Sequence, residues 1–305
     1  MRGEKEQRCL ERIRDATFTK DGVLIKHPFT GKTHMEISDD EFVKEQIWYI
    51  NSNCHNNYFG LLEIDRNEFE QILRKAEPNQ KPSDFPDFVF TNGFIEHFQI
   101  TSSSVTRKGS IHAKKESEFK HRVETETKQI EDEWNQMPSF DEVRSKSWAF
   151  SNPTHSHEFL IASFKNNWEH HMDSYRKYNG AKEIGVFMIE YPEFALSMCE
   201  NVYCDWINGM AQGDMRGQEE FKEYRLSRDK KLLDYIYQFR KQIKYVIFVN
   251  QVRYEVIRME NIPYLLKLMP WDFVIYPLVV TTISTIKNIS VPKNLGQGGE
   301  RNDQT

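Results

Sequence analysis

Apolar positions along this chain recur with two periods. In the first segment Cys9, Leu10 and Ile13 fall on one helix face. Gly22 to Lys26 then reads as a short β-like piece, followed by a turn at Thr30-Gly31-Lys32. Ser38 with Glu41 three residues on is a capping-box pattern, and Val43, Ile47 and Ile50 continue one helical face behind it. Asn51 to Asn57 reads as a loop. Asp65 can cap the next helix, in which Phe69, Ile72, Leu73 and Ala76 keep helical spacing. A Pro-punctuated connector from Pro78 to Pro86 leads to two short apolar runs, Asp87 to Phe90 and Phe94 to Ile100. They are separated by Thr91-Asn92-Gly93, a strong short-range hairpin signal.

A Ser/Thr-rich loop, Thr101 to Ser110, precedes a charged helix expected over Ala113 to Gln136, ended by Pro138. In the second half Leu160, Phe164, Trp168, His171 and Tyr175 line one helix face, closed at Gly180. Strands are expected at Ile184 to Glu190, Tyr245 to Val249 and Gln251 to Arg258, with a helix through Leu232, Ile236 and Ile243 before the second. A polar loop is centred on Gly209 to Gly217. Phe273 to Ile286 reads as buried strand: it is too short and too β-branched for a membrane helix, and it contains Pro277. Strands alternating with helical stripes predict an α/β fold, a central mixed sheet flanked by helices. The expected organisation is an N-terminal extension over 1–37, one α/β domain over 38–290 and a polar tail over 291–305.

Composition changes this picture little. The 305 residues include 21 Phe, 13 Tyr and 6 Trp, enough bulky material for a core. A net charge of −5 excludes a global basic field, so any nucleic-acid contact must be local. Cys9, Cys54, Cys199 and Cys204 form no CxxC pair and read as reduced thiols of a cytoplasmic protein. The N-terminus carries no apolar secretory segment, and no membrane partner is expected. His155, His157, His170 and His171 lack zinc-finger spacing.

The hairpin changes the picture most. Glu96, His97 and Gln99 stand among Phe94, Ile95, Phe98 and Ile100, where polar groups are costly unless partnered or functional. If Asn92-Gly93 alone form the loop, Asp87 stands opposite Phe98 and shares a face with Glu96. If Thr91-Asn92-Gly93 form it, Asp87 stands opposite His97 and beside Gln99. Two carboxylates on one face repel, a divalent cation resolves the repulsion, and oxygen ligands select Mg²⁺ or Mn²⁺. Arg107, Lys108, Lys114 and Lys115 follow the hairpin as candidate phosphate contacts.

Pro86-Asp87 followed by Glu96-His97-Phe98-Gln99 resembles the PD-(D/E)XK nuclease superfamily. The pattern is degenerate: Phe98 stands where that family has Lys, and Gln99 fits the Lys position only if His97 replaces the acid. The resemblance implies a restriction-endonuclease-like αβββαβ core and Mg²⁺-dependent phosphodiester hydrolysis of DNA or RNA, in genome defence or repair. It implies Asp87, Glu96, His97 and Gln99 as catalytic residues and Asp87, Glu96 and the upstream acid Glu45 as metal ligands. It is compatible with a homodimer, and equally with a nuclease-like fold that binds nucleic acid or protein without cutting.

Overall fold

The computed structural model describes residues 3–22, 56–59, 63–81, 84–106, 109–135, 143–203, 215–221, 223–251, 253–267, 274–278 and 281–289. The expected helix behind Ser38, the β-like piece at Gly22 to Lys26 beyond Gly22 itself, and the tail after 291 lie outside them. The chain divides into two compact units. One comprises Met1–Ser103 and His155–Leu278, the other Ser104–Thr154 and Val279–Thr305.

The first unit is built on a seven-stranded mixed sheet: six strands of three residues or more and a two-residue edge piece. Its strands are β1 (Asn56–Phe59), β2 (Glu77–Pro78), β3 (Phe88–Phe90), β4 (Gly93–Gln99), β8 (Ile184–Glu190), β11 (Tyr245–Val249) and β12 (Tyr254–Arg258). Their spatial order is β1-β12-β11-β8-β4-β3-β2. β2, β3 and β4 run antiparallel, β4 pairs with β8 in parallel, and β8 pairs with β11 in parallel.

Helices cover both faces. On one, α1 (Glu4–Thr17) and α2 (Glu63–Lys75) bring Leu10, Ile13, Phe69 and Leu73 onto Ile95, Val186, Met188 and Ile247. On the other, α4 (His157–Lys177) and α5 (Lys230–Tyr237) bring Leu160, Phe164, Trp168 and Leu233 onto Phe94, Phe98, Phe187 and Phe248. The alternation of β4 and β8 supplies both cores, odd and even positions facing opposite layers. Ser156 caps α4, its side chain accepting from the Phe159 N–H, and Asp229 caps α5 by accepting from the Leu232 N–H. A short helix α6 (Ile262–Lys267) completes the unit's helices among the described residues.

Several expectations are corrected. The hairpin loop is Thr91-Asn92, with Gly93 inside β4 and paired to Phe90. This differs from both registers predicted from the Asn-Gly signal. The reason lies in β8: a Cβ on Gly93 would stand 1.9 Å from the Ile184 carbonyl oxygen. Glycine is therefore used for close strand approach and not for the turn. Asn56 and Asn57, read as loop, open β1. Part of the expected Gly209–Gly217 loop is strand: β9 (Leu196–Tyr203) pairs antiparallel with β10 (Met215–Phe221). The apolar stretch 273–286 is not one buried strand. It supplies β13 (Val274–Pro277), which pairs with β9 and leaves Val274 exposed, and part of β14 (Thr281–Ile289).

The second unit contains the charged helix α3 (Ile111–Asn135), a two-residue ladder of β5 (Val105–Thr106) with β6 (Gly109–Ser110), and a nine-residue antiparallel ribbon of β7 (Val143–Ser151) with β14. Phe150 packs edge-on against His112 and Phe119, and the Trp148 ring nitrogen donates to Glu126 at 2.6 Å. Among the described residues no helix is long and apolar enough to cross a membrane.

Gly93→Ala should cost about 1–3 kcal/mol or more of unfolding free energy, because a backbone oxygen cannot step aside as a side chain can. Thr91→Ala in the exposed loop should stay within about 0.5 kcal/mol. Urea titration of the two variants checks this, and equal costs would show that β4 and β8 do not approach so closely.

Candidate functional site

The β3–β4 register sets the geometry. Phe88 pairs with Ile95, so Asp87, one residue before β3, stands level with Glu96. The two carboxylates are cross-linked through the backbone. The Asp87 N–H donates to Glu96 Oε2 at 3.0 Å, and the His97 N–H donates to Asp87 Oδ2 at 2.8 Å. Glu96 shares its face with Phe94 and Phe98, the face covered by α4. There His171 Nδ1 lies 2.6 Å from Glu96 Oε1, and the His171 ring stacks on Phe98 with centroids 4.7 Å apart.

Burial dominates the electrostatics. The Asp87 carboxyl is pushed up to about 7 by desolvation, reinforced by the nearby Glu96 charge and opposed by the His97 N–H. Glu96 is pushed up to about 8, again by desolvation first, against the hydrogen bond from the Asp87 N–H. His171 moves the other way, down to about 4, burial outweighing the attraction of Asp87. Near neutral pH the two acids are thus only partly ionised and the His171 imidazole is uncharged.

His97 and Gln99, the other two predicted residues on β4, face the opposite layer, with Ile95. Their partner is Glu190 at the end of β8. His97 Nε2 lies 3.2 Å from Glu190 Oε2, and Gln99 Nε2 donates to the same oxygen at 2.6 Å. Burial pushes the Glu190 carboxyl up, but the hydrogen bonds from His97 and Gln99 outweigh it and hold the group below its ordinary value. Cys9 of α1 joins this second cluster, its thiol driven upward by burial and then by the Glu190 charge. Arg12, one turn further along α1, donates to the Asn250 carbonyl at 2.5 Å.

The structure therefore unites Asp87 with Glu96 and separates both from the side chains of His97 and Gln99. Glu45, Arg107 and Lys108 lie outside the described residues. Lys114 and Lys115 are exposed on α3, in the other unit, where Lys114 lies 3.9 Å from Glu118. Sequence reasoning missed the parts played by His171 and Glu190. A histidine in the stripe Leu160, Phe164, Trp168, His171, Tyr175 was the available signal for the first. An acid ending the apolar run Ile184 to Glu190 was the signal for the second.

His157 and His155 are engaged elsewhere. His157 Nε2 contacts Asp229 at 2.5 Å. His155 Nδ1 lies 2.8 Å from Ser102 Oγ, which also reaches Glu193 at 3.0 Å and the Tyr191 hydroxyl at 2.7 Å. Ser, His and acid are the residue types of a hydrolase triad, but all three are sealed from solvent. They tie the exit of β4 to the entry of α4 and to the chain beyond β8, which is a structural task.

No family model, no curated protein and no solved structure matches this chain.

The raised carboxyls make stability pH-dependent with a definite sign. The folded state holds their protons up to about 7 and 8, whereas the unfolded chain releases them near 4. The stabilisation is complete below pH 4 and is lost as pH rises through 7 to 8. With chelator present, Asp87→Asn and Glu96→Gln should flatten this loss. The gain over wild type at pH 8.5 should be on the order of 2 kcal/mol, since one pK unit is worth about 1.4 kcal/mol, and should vanish at pH 4. Thermal melts across that range test it; parallel profiles for all three proteins would mean the carboxyls titrate normally.

Proposed function

We propose that this protein is a metal-dependent phosphodiesterase of the nuclease type, with Asp87 and Glu96 as its metal-binding acids. The observation that carries the reading is their placement at one level of two adjacent antiparallel strands, both held partly protonated by burial. The connectivity supports it. Within the first unit α2, β2, β3, β4, α4 and β8 come in the order helix, three antiparallel strands, helix and parallel strand, the order expected of an αβββαβ restriction-endonuclease-like core, with β5, β6, α3 and β7 of the second unit inserted between β4 and α4.

The donor set fits Mg²⁺ or Mn²⁺: two carboxylates supply hard oxygen ligands and negative charge. Such an ion, when bound, supplies Lewis acidity toward a phosphate oxygen and lowers the pKa of a coordinated water. The chain's own residues do the rest. The His97 N–H fixes one Asp87 oxygen and the Asp87 N–H fixes one Glu96 oxygen, so neither carboxylate rotates freely. His171 orients the remaining Glu96 oxygen and, being uncharged near neutrality, adds no competing cation. Phe98 occupies the position of the family lysine, buried under the His171 ring, so no ammonium at this position orients a nucleophile. The substrate class is DNA or RNA.

Phe98 also favours a second reading, a nuclease-like fold that binds nucleic acid without cutting. Cleavage and retention separate the two. Plasmid DNA and structured RNA should be cut with Mg²⁺ or Mn²⁺ and spared with chelator. Asp87→Asn and Glu96→Gln should each slow cutting at least 100-fold, about 2.7 kcal/mol of transition-state stabilisation. Gel retardation without cutting under either ion would select the binding module. Neither cutting nor retardation would sink both readings.

A further inference from the structure

The opposite face of β4 carries a second constellation, whose side chains lie on the other side of the sheet from Glu96. Cys9 from α1, His97 from β4 and Glu190 from β8 each offer one ligand atom, and the three atoms lie within 4.8 Å of one another. These residues come from three elements far apart in sequence; Leu10, Ile13, Ile95, Val186 and Met188 pack in the same layer, and Gln99 and the Arg12 charge are the polar neighbours. A thiol, an imidazole and a carboxylate meeting in such a layer are three donors of the types that ligate a transition metal.

We propose that Cys9, His97 and Glu190 bind a zinc ion. Sulfur, nitrogen and oxygen donors together suit borderline-soft Zn²⁺ and not the all-oxygen preference of Mg²⁺. The spacing supports the assignment. Two donors about 2.0 Å from a tetrahedral zinc stand about 3.3 Å apart, and His97 Nε2 and Glu190 Oε2 are 3.2 Å apart. The Cys9 sulfur lies within 4.8 Å of both, and a zinc–sulfur bond, at about 2.3 Å, is the longest of the three. One thiolate and one carboxylate balance the two positive charges of the ion, so the buried site becomes neutral.

An outer group is already in place: the Gln99 amide donates to Glu190 Oε2 at 2.6 Å, the kind of contact that orients a ligating carboxylate. The Glu190 side chain is 20% exposed and Gln99 is exposed, so this side of the cluster meets solvent. Bound there, zinc would fasten α1 to the centre of the sheet.

The test uses the full chain, stripped with chelator and then offered Zn²⁺ or Co²⁺. The wild type should retain one zinc per chain after gel filtration. Its cobalt form should show the visible bands of a tetrahedral site and a near-ultraviolet thiolate-to-cobalt charge-transfer band. Cys9→Ser should abolish that band although Cys54, Cys199 and Cys204 remain. Cys9→Ser, His97→Ala and Glu190→Gln should each weaken binding about tenfold or more. Asp87→Asn should leave the cobalt spectrum unchanged, which separates this site from the phosphodiesterase reading. A wild type that retains no zinc, a cobalt complex without the thiolate band, or an identical spectrum for Cys9→Ser would overturn the proposal. Should Cys9→Ser fail to fold in chelator, Cys9→Ala and the wild-type spectrum decide in its place.

Discussion

Parallel pairing of β4 with β8 is the constraint on which the first unit depends. Gly93 meets Ile184 so closely that only a missing side chain permits the ladder to begin there, and from that point each residue of β4 is matched to one of β8 as far as Gln99 with Glu190. Once this pairing is set, pleating alone decides which side chain enters which layer. Phe94, Glu96 and Phe98 go to α4, while Ile95, His97 and Gln99 go to α1 and α2. Neither polar cluster could form if the strands were joined one residue out of step.

Much of the frame was legible in the sequence because it rests on local periodicity. The stripe Leu160, Phe164, Trp168 and the runs at 184–190 and 245–249 became a buried helix face and buried strands at the expected positions. The hairpin was legible too, but its register was not. The Asn-Gly pair suggested a local explanation for Gly93, whereas the actual one is the Ile184 carbonyl, 91 positions along the chain. Local turn chemistry cannot report on an approach made by a strand so distant. The broken reading of 273–286 failed similarly: its apolar content was counted as one element, yet its two halves pair with different partners, β9 and β7.

The candidate site was half legible for the same reason. Asp87 and Glu96 were visible as acids where acids are costly, and the structure sets them level with each other. Their further partners were invisible as such, because His171 and Glu190 acquire meaning only through packing. A histidine in an apolar stripe usually satisfies a core contact, and an acid at a strand end is usually solvated. Here Phe98 presses the imidazole against Glu96, and Glu190 is gripped by His97 and Gln99. Cys9 lay further still from recognition, since a cysteine among Leu10 and Ile13 reads as core material.

The back-to-back placement of Glu96 and His97 also limits how such a protein can change over generations. Adjacent residues of one strand serve different layers, so inserting or deleting a single residue upstream of them within β4 would exchange the two inventories wholesale. It would thrust Phe98 toward α1 and His97 toward α4, spoiling both cores in one event. Variation along this strand is therefore confined to replacement in place. Each face can be tuned residue by residue without disturbing the other, but neither can be shifted along the chain.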